Sequence, residues 1–413
     1  MNSKDPPIDP TELSLKQGFD FHNSGLFDQA RKIYESILRV DPNQFDALQL
    51  LGNLEYQTKN HQKALKLLTD AIHIDSSVAA VHNNRGNVLK ELNFLEEALL
   101  SYETAIKLKS DYPQAHLNYA NLLKEIDLKE EALVYYNKAI SFKNNYSEAY
   151  SNRGVLLAEL NQFSEAKESY NCAIEYNTNN AEAYSNRGNL LIKLNQLEEA
   201  LRDYAQAIQI NPLYVEAYIN QGLAYQSLNY LDKALLSFEK ALAIDPNHAD
   251  AHLNRALALL SLGNFKDGLP EYEWRWKSKG LIKKEKERIF NQPLWLGGEN
   301  LVNKTILLWS EQGLGDCIQF SRYATLVKKQ GAKVLLEVPK QLLTIMQKLE
   351  GVDFVFELGE VSQDFDFQCP LMSLPLALKT DLRSIPHLGR YLKSSVQKTE
   401  QWKQRIGDKN KPR

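Results

Sequence analysis

Six asparagines recur at a spacing of 34 residues: Asn84, Asn118, Asn152, Asn186, Asn220 and Asn254. A side-chain amide offers one acceptor and two donor hydrogens, the complement of a peptide group, so a row of amides can hydrogen-bond an extended backbone whatever its side chains. A second amide column at the same phase, Asn53, Asn87, Asn121 and Asn189, widens the stripe. The chemistry implied is recognition of polypeptide with broad specificity; common descent of duplicated segments would also leave one residue type in every copy. Further along, Ser310-Glu311-Gln312-Gly313-Leu314-Gly315-Asp316 brings two glycines and an acid together. Gly313 and Gly315 permit close approach to the backbone, amides at a helix start attract anions, and Asp316 has the chemistry to take a proton from a hydroxyl. A tight turn with Asp316 as a helix N-cap uses the same residues.

The amides are positioned by a repeat. Ala30, Ala64, Ala98, Ala132, Ala166, Ala200 and Ala234 stand 34 residues apart, as do Gly18, Gly52, Gly86, Gly154, Gly188 and Gly222, with Ala120 and Ala256 filling the gaps. A third small column runs from Ala71 through Ala105, Ala139, Ala173 and Ala207 to Ala241. Small residues let helix backbones approach closely, and an aromatic column (Tyr34, Tyr102, Tyr136, Tyr170, Tyr204, Phe238, Tyr272) is expected to fill the space between successive hairpins. Asp41-Pro42-Asn43, Asn211-Pro212 and Asp245-Pro246-Asn247 fall at one phase and stop a helix, so each unit reads as two helices. The six asparagines lie in the first helix, two positions before the Gly/Ala column. At about 100° per residue they point away from the packed stripe of Tyr150, Gly154 and Leu157, toward an open face. Asparagine there costs roughly half a kcal/mol against alanine, so its recurrence asks for a role other than helix stability.

Two more columns bear on the ligand. Open-face positions carry Glu148, Glu182, Glu216 and Asp250, with Ser151, Ser185 and Ile219 a turn later, and these acids would repel the carboxylates of an acidic chain end. Arg85, Arg153, Arg187 and Arg255 lie at the edge of the packed stripe, where pairing with neighbouring acids accounts for them. Gly, Ala, aromatic, Ala and Pro at this spacing resemble the tetratricopeptide repeat. Eight units run from about Thr11 to about Ile282, the last decaying where Gly268 and Arg275 replace the usual alanines. The resemblance implies a right-handed superhelix whose inner face is lined by the first helix of each pair, with a protein or peptide in that concave groove. The asparagine column is similar to the one lining the superhelix of O-linked N-acetylglucosamine transferases, where it holds the protein substrate.

After Tyr272-Glu273-Trp274-Arg275-Trp276 and the basic stretch Lys283-Lys284-Glu285-Lys286, the helical period gives way to strands. Thr305–Trp309 and Lys333–Val338 are short apolar runs separated by a helical stretch from about Cys317 to Gln330. Runs at Phe354-Val355-Phe356 and Phe365–Cys369 extend this into a parallel, doubly wound sheet, with the Asp316 turn between a strand and a helix, where sites sit in such sheets. The segments Trp309–Val338 and Asp366–Leu378 resemble the first half of the glycosyltransferase domain attached to many bacterial tetratricopeptide proteins, itself similar to the heptosyltransferases. The resemblance implies that Gly315 and Asp316 are the pair supplying the catalytic base, with Gln312 and Gln319 as polar neighbours, in an inverting transfer from a nucleotide sugar to a hydroxyl. That fold has two Rossmann-like halves, and the second holds most of the donor. Roughly 110 residues after Lys304 suffice for one half, so the chain is expected to be truncated after it. It would have no cofactor of its own, a nucleotide sugar serving as donor once the domain is completed.

A length of 413 residues exceeds what one core organises, and a net charge of -3 argues against a surface for nucleic acid. Met1 to Gln17 has neither the basic patch nor the apolar run of a secretion signal, and no stretch of about twenty apolar residues follows, so a cytoplasmic location without a membrane partner is expected. Cys172, Cys317 and Cys369 are too scattered for a disulfide framework or a metal site. The expected organisation is a disordered N-terminus at 1–10, eight repeats over 11–282, a linker over 283–303, one Rossmann-like half of a GT-B glycosyltransferase over 304–395, and a tail at 396–413. The fold class is thus mainly α, a right-handed superhelix followed by one α/β half-domain. The function expected is a scaffold presenting protein substrate to a glycosyltransferase-like domain for protein O-glycosylation; the alternative is a non-catalytic adaptor with a remnant half-domain. Nothing indicates the oligomeric state.

Overall fold

The computed structural model describes residues 10–278, 288–387, 389, 391–392 and 396–406. The expected disordered stretch, apart from Pro10, and the basic stretch Lys283–Lys286 lie outside the described residues. The chain forms two compact units, Met1–Pro212 and Leu213–Arg413. The first holds six helical hairpins: α1 (Pro10–Asn23) with α2 (Phe27–Val40), α3 (Phe45–Gln57) with α4 (His61–Ile74), α5 (Ala79–Glu91) with α6 (Leu95–Leu108), α7 (Pro113–Glu125) with α8 (Lys129–Phe142), α9 (Ser147–Glu159) with α10 (Phe163–Tyr176), and α11 (Ala181–Lys193) with α12 (Leu197–Ile210). The second holds α13 (Val215–Ser227) with α14 (Leu231–Ile244), α15 (Ala249–Ser261) with α16 (Phe265–Tyr272), and a parallel sheet.

Each hairpin is turned by a device absent from the columns above. The first helix ends on a left-handed residue, such as Asn93 at φ 62°, Asp127 at 66° or Asn161 at 60°, and the next N–H returns to the helix, as Phe94 N does to Leu89 O at 2.9 Å. The column runs Gly25, Lys59, Asn93, Asp127, Asn161, Asn195, Asn229, Gly263, mostly residues that tolerate this conformation. The proline-bearing stops lie between hairpins. The aromatic column packs inside its own hairpin, which corrects the expectation that it fills the space between hairpins. A Cβ on Gly154 would stand 2.7 Å from the Tyr170 ring, and one on Gly188 2.7 Å from Tyr204. The glycine is what lets the ring lie flat against the first helix, and burying each ring stabilises by roughly 2 kcal/mol.

The last hairpin is cut short. α16 has 8 residues with Pro270 inside it, and the chain tightens into a 3-10 turn at Glu273–Trp276 that buries Arg275 completely. The sheet follows, with β1 (Thr305–Trp309), β2 (Lys333–Val338), β3 (Phe354–Glu357) and β4 (Phe367–Pro370) in the order β3-β2-β1-β4, all parallel. On one face Ile306, Leu308, Val334, Leu336 and Cys369 pack with residues of α17 (Leu314–Ser321), α18 (Ala324–Lys329), α19 (Leu343–Met346) and α20 (Leu374–Ala377). The single helix expected over Cys317–Gln330 is therefore two, parted at Arg322 and Tyr323.

Among the described residues the sheet is not doubly wound. Its other face, carrying Leu307, Trp309, Leu335 and Phe356, is covered by Trp276, Phe290, Val361 and Phe365. Fully buried Glu337 in that layer pairs with Arg288 and accepts the Gly359 N–H at 2.7 Å, while Trp309 Nε1 donates to Gln368 Oε1 at 2.7 Å. Large aromatics and a satisfied charge fill the layer where helices were expected. Trp295 and Leu301, assigned to a linker, are buried in the domain core, and Leu294 pairs with Gln368. Within the tail, α21 spans Val396–Ile406. Cys172, Cys317 and Cys369 are unbridged, and no helix among the described residues is long and apolar enough to cross a membrane.

Candidate peptide-binding groove

In the first unit Asn84, Asn118, Asn152 and Asn186 stand half-buried on α5, α7, α9 and α11. Most of them bond to the preceding hairpin. Asn84 Nδ2 donates to Asn53 Oδ1 at 2.9 Å, Asn118 Nδ2 to Asn87 Oδ1 at 3.0 Å and to Asn83 Oδ1 at 2.9 Å, and Asn152 Nδ2 to Asn121 Oδ1 at 3.0 Å. The second amide column also takes the tyrosine tips: Tyr102 donates to Asn87 Oδ1 at 2.8 Å, Tyr136 to Asn121 Oδ1 at 2.7 Å and Tyr204 to Asn189 Oδ1 at 2.7 Å. Burial pushes these three phenols well above their ordinary pKa, which keeps them as donors. A ring seated in one hairpin thus grips an amide that holds the next. Sequence reasoning missed this brace, although its signals are present as recurrent offsets of 15 residues (Asn87 to Tyr102) and 31 residues (Asn87 to Asn118).

The brace lapses along the array. Thirty-one residues before Asn186 stands Val155, and before Asn254 stands Leu223, neither with a side-chain acceptor. Asn152 uses one donor; Asn186 in the first unit, and Asn220 and Asn254 on α13 and α15 in the second, make no side-chain hydrogen bond among the described residues. A hollow in the first unit is lined by Asn53, Tyr56, Gln57, Asn84 and Asn87. Three of the four recurring arginines are tied into the structure: Arg187 Nε and Nη2 grip Asp203 at 2.8 and 2.7 Å, Arg153 Nε donates to Ser169, and Arg255 Nη1 donates to Glu271 at 2.9 Å, whereas the buried Arg85 Nε has no partner among the described residues.

At the end of β1, Gly313 is the N-cap of α17, and Asp316 occupies the third helical position, its Oδ2 accepting the Gly313 N–H at 3.2 Å. Asp316 is therefore not the N-cap; it answers the cap from inside the first turn. Neither Gly313 nor Gly315 takes a left-handed conformation, and a Cβ on Gly315 would meet nothing within 4 Å, so the approach to its backbone is open. Gln312 Nε2 donates to Tyr272 at 3.4 Å, and Gln319 is exposed.

The strand order reverses between β1 and β4, where ligands of open parallel sheets usually sit. Here Arg275 bridges the segments that follow those two strands. Its Nε and Nη2 donate to Glu311 at 3.0 Å each, Nη2 donates to Ser373 Oγ at 2.7 Å, and Nη1 donates to Glu273 at 2.7 Å. Met372 N–H donates to Glu311 Oε1 at 3.2 Å. Burial pushes the Glu311 carboxyl up, and the guanidinium opposes that shift.

Sequence models of the tetratricopeptide repeat match residues 23–84, 113–146 and 181–214, and a TPR-repeat model matches 86–127, 156–194 and 222–263. Over 87 residues the chain is 32% identical to the UDP-N-acetylglucosamine–peptide N-acetylglucosaminyltransferase of Caenorhabditis elegans, a stretch covering 21% of this chain and 7% of that enzyme. Similar solved structures include a tetratricopeptide repeat protein from Parabacteroides merdae, with 19% identity, TM-score 0.49, and coverage of 60% of this chain and 98% of that one. Another is YrrB, a TPR protein with an unusual peptide-binding site, with 29% identity, TM-score 0.37, and coverage of 45% and 95%. With successive hairpins matched from residue 23 to residue 263, the chain belongs to the tetratricopeptide-repeat family.

Proposed function

We propose that the chain is a polypeptide-binding scaffold whose ligand lies along the first helices of the hairpins. The observation that carries this is the set of amide groups left open on an otherwise well-bonded stripe: Asn186 and the second donor of Asn152 in one unit, Asn220 and Asn254 in the other. Tetratricopeptide repeats imply a protein-interaction scaffold, and the C. elegans relative is named for transfer to a peptide. Replacing Asn152, Asn186 and Asn220 together by alanine tests the reading. Each lost hydrogen bond weakens binding of an unstructured peptide by roughly three- to tenfold, with the helical circular dichroism retained. Unchanged affinity refutes it.

The fuller form of the proposal is that the bound chain is presented to the sheet domain for sugar transfer. Asp316 would act as base, Gly313 and Gly315 would leave the backbone open to an anionic group, and a nucleotide sugar would be the donor. Its support is the resemblance of the β1 turn together with Asp316 Oδ1, which makes no hydrogen bond among the described residues. A second reading, a non-catalytic adaptor, is favoured by Arg275 and Glu311 filling the crevice between β1 and β4. Nucleotide-sugar hydrolysis that is lost in Asp316→Asn supports transfer; no hydrolysis by the chain leaves the adaptor.

A further inference from the structure

On α9, α11 and α13 the asparagine is preceded by an acid that makes no hydrogen bond or ion pair among the described residues. Glu148 precedes Asn152 by one turn on α9, and Glu182 precedes Asn186 by one turn on α11, so each pair shares a helix face. In the second unit Glu216 stands in the same relation to Asn220 on α13. All three residues lie at the surface and make no ion pair or hydrogen bond among the described residues. The better-braced hairpins differ at the same position. α5 has Ala80 before Asn84, and α7 has Gln114 before Asn118, where Gln114 Nε2 donates to Asn118 Oδ1 at 3.1 Å and its Oε1 accepts from Tyr146. Polar groups are tied up in one part of the array and left open in another.

Two observations on α9 bear on what the open part lacks. Ser151 Oγ, one turn from Glu148 on the face shared with Asn152 and Val155, belongs to a residue only 3% exposed and has no hydrogen-bond partner among the described residues. Loss of solvent around the Glu148 carboxyl pushes it up, the charge of Glu182 adds to that, and Lys143 opposes both without offsetting them, so like charges from successive hairpins are left facing one another. The nearby basic groups are otherwise engaged: Arg153 is bonded to Ser169 and Asn137, Arg187 to Asp203 and Asn171, and Lys143 stacks over Tyr146. The surface has surplus acceptors and a deficit of positive charge.

We infer that the polypeptide held by the open amides is a basic one, its lysine or arginine side chains meeting Glu148 and Glu182 in the first unit. Successive packed helices stand on the order of 10 Å apart and an extended chain rises about 3.3 Å per residue, so one hairpin spans about three residues of ligand. A cation at every third position matches one acid per hairpin while the intervening backbone meets the amides. This inference rests on the groove reading above and adds the charge of the ligand to it.

The experiment uses the full chain and three fluorescein-labelled peptides of about twelve residues, built from Gly and Ser with Lys, Gln or Glu at every third position. Anisotropy titrations are run on the wild type, on Glu148→Gln/Glu182→Gln, and on Asn152→Ala/Asn186→Ala. The Lys peptide is expected to bind the wild type at least roughly tenfold more tightly than the Gln peptide, to lose most of that margin in the glutamine variant, and to lose it in high salt. The Gln peptide should be indifferent to the glutamine substitutions and weakened by the alanine ones. Equal binding of Lys and Gln peptides, or a Lys preference that survives the glutamine variant, overturns the basic ligand and leaves the amide reading standing. Binding by none of the three peptides overturns both.

Discussion

Replacing Asn121 by alanine tests the brace between hairpins. Asn121 Oδ1 accepts the Tyr136 hydroxyl at 2.7 Å from its own hairpin and Asn152 Nδ2 at 3.0 Å from the next. Tyr136 is 1% exposed, so without the amide its hydroxyl is left buried and unpaired, at a cost of about 1–3 kcal/mol. Asn152 is half-buried and its donor can turn to water, adding little. Alanine returns roughly half a kcal/mol in helix propensity, so the net loss is about 1–2 kcal/mol. Tyr136→Phe removes the hydroxyl but leaves Asn121 bonded to Asn152, and costs about 1 kcal/mol. In the double variant no buried donor is orphaned, so the cycle should show a coupling of about 1 kcal/mol. Because repeat arrays need not unfold in one step, urea denaturation should be paired with hydrogen exchange at α7 to α10, where protection falls first in Asn121→Ala. Asn152→Ala should be near neutral. Additive single variants, or an Asn152→Ala loss as large as that of Asn121→Ala, would refute the brace.

Two further outcomes are expected. Glu55 is fully buried; burial raises its carboxyl, but hydrogen bonds from Arg31, Lys63 and Asn60 more than offset that and hold it at about 2, against an ordinary value of 4.5. A depressed acid stabilises the fold above its unfolded pKa, and the contribution is lost as pH falls from about 4.5 toward about 2. It is worth at most about 3 kcal/mol, trimmed to roughly 2 by solvent around Lys63. Acid titration of thermal stability should show this slope in the wild type and lose it in Glu55→Gln. Arg275→Met leaves Glu311 and Glu273 without their cation and should destabilise the second unit by about 3–5 kcal/mol, with part regained when Glu311→Gln is added; calorimetry checks both.

Much of the fold is legible because its signals are local and repeated. Alanine, glycine and aromatic columns at one period can specify only a stacked hairpin, and Asp41-Pro42 or Asp245-Pro246 can only stop one. The stop inside the hairpin was overlooked because Lys59, Asn93 and Asp127 differ in chemistry and share only a backbone conformation. The asparagines were assigned to an open face, and each column was read against itself; the bonds run between columns, where a 34-residue comparison does not look. The sheet was found from its apolar runs, but the covering of its second face was not. Trp276, Phe290 and Arg288 come from segments with no periodicity, and their place depends on a tertiary arrangement no spacing encodes. Arg275 was noticed as a flaw in the repeat; it is the residue that joins the last hairpin to the sheet.

The offsets within the brace make hairpins of the first unit interchangeable parts. Cutting out Asn87 to Ala120 would leave Gly86 followed by Asn121, which keeps its own tyrosine and its own forward partner, while Asn84 stays bonded to Asn53. The one bond of the amide brace lost across the cut is that from Asn118 to Asn83, and Asn152, at the same phase of the repeat, would stand in the place of Asn118. Array length can therefore be changed by whole hairpins at no cost in amide pairing, and the reach of the groove becomes a dial separate from its chemistry. The exception is the seam at Val155, where the acceptor is missing and where the open amides begin.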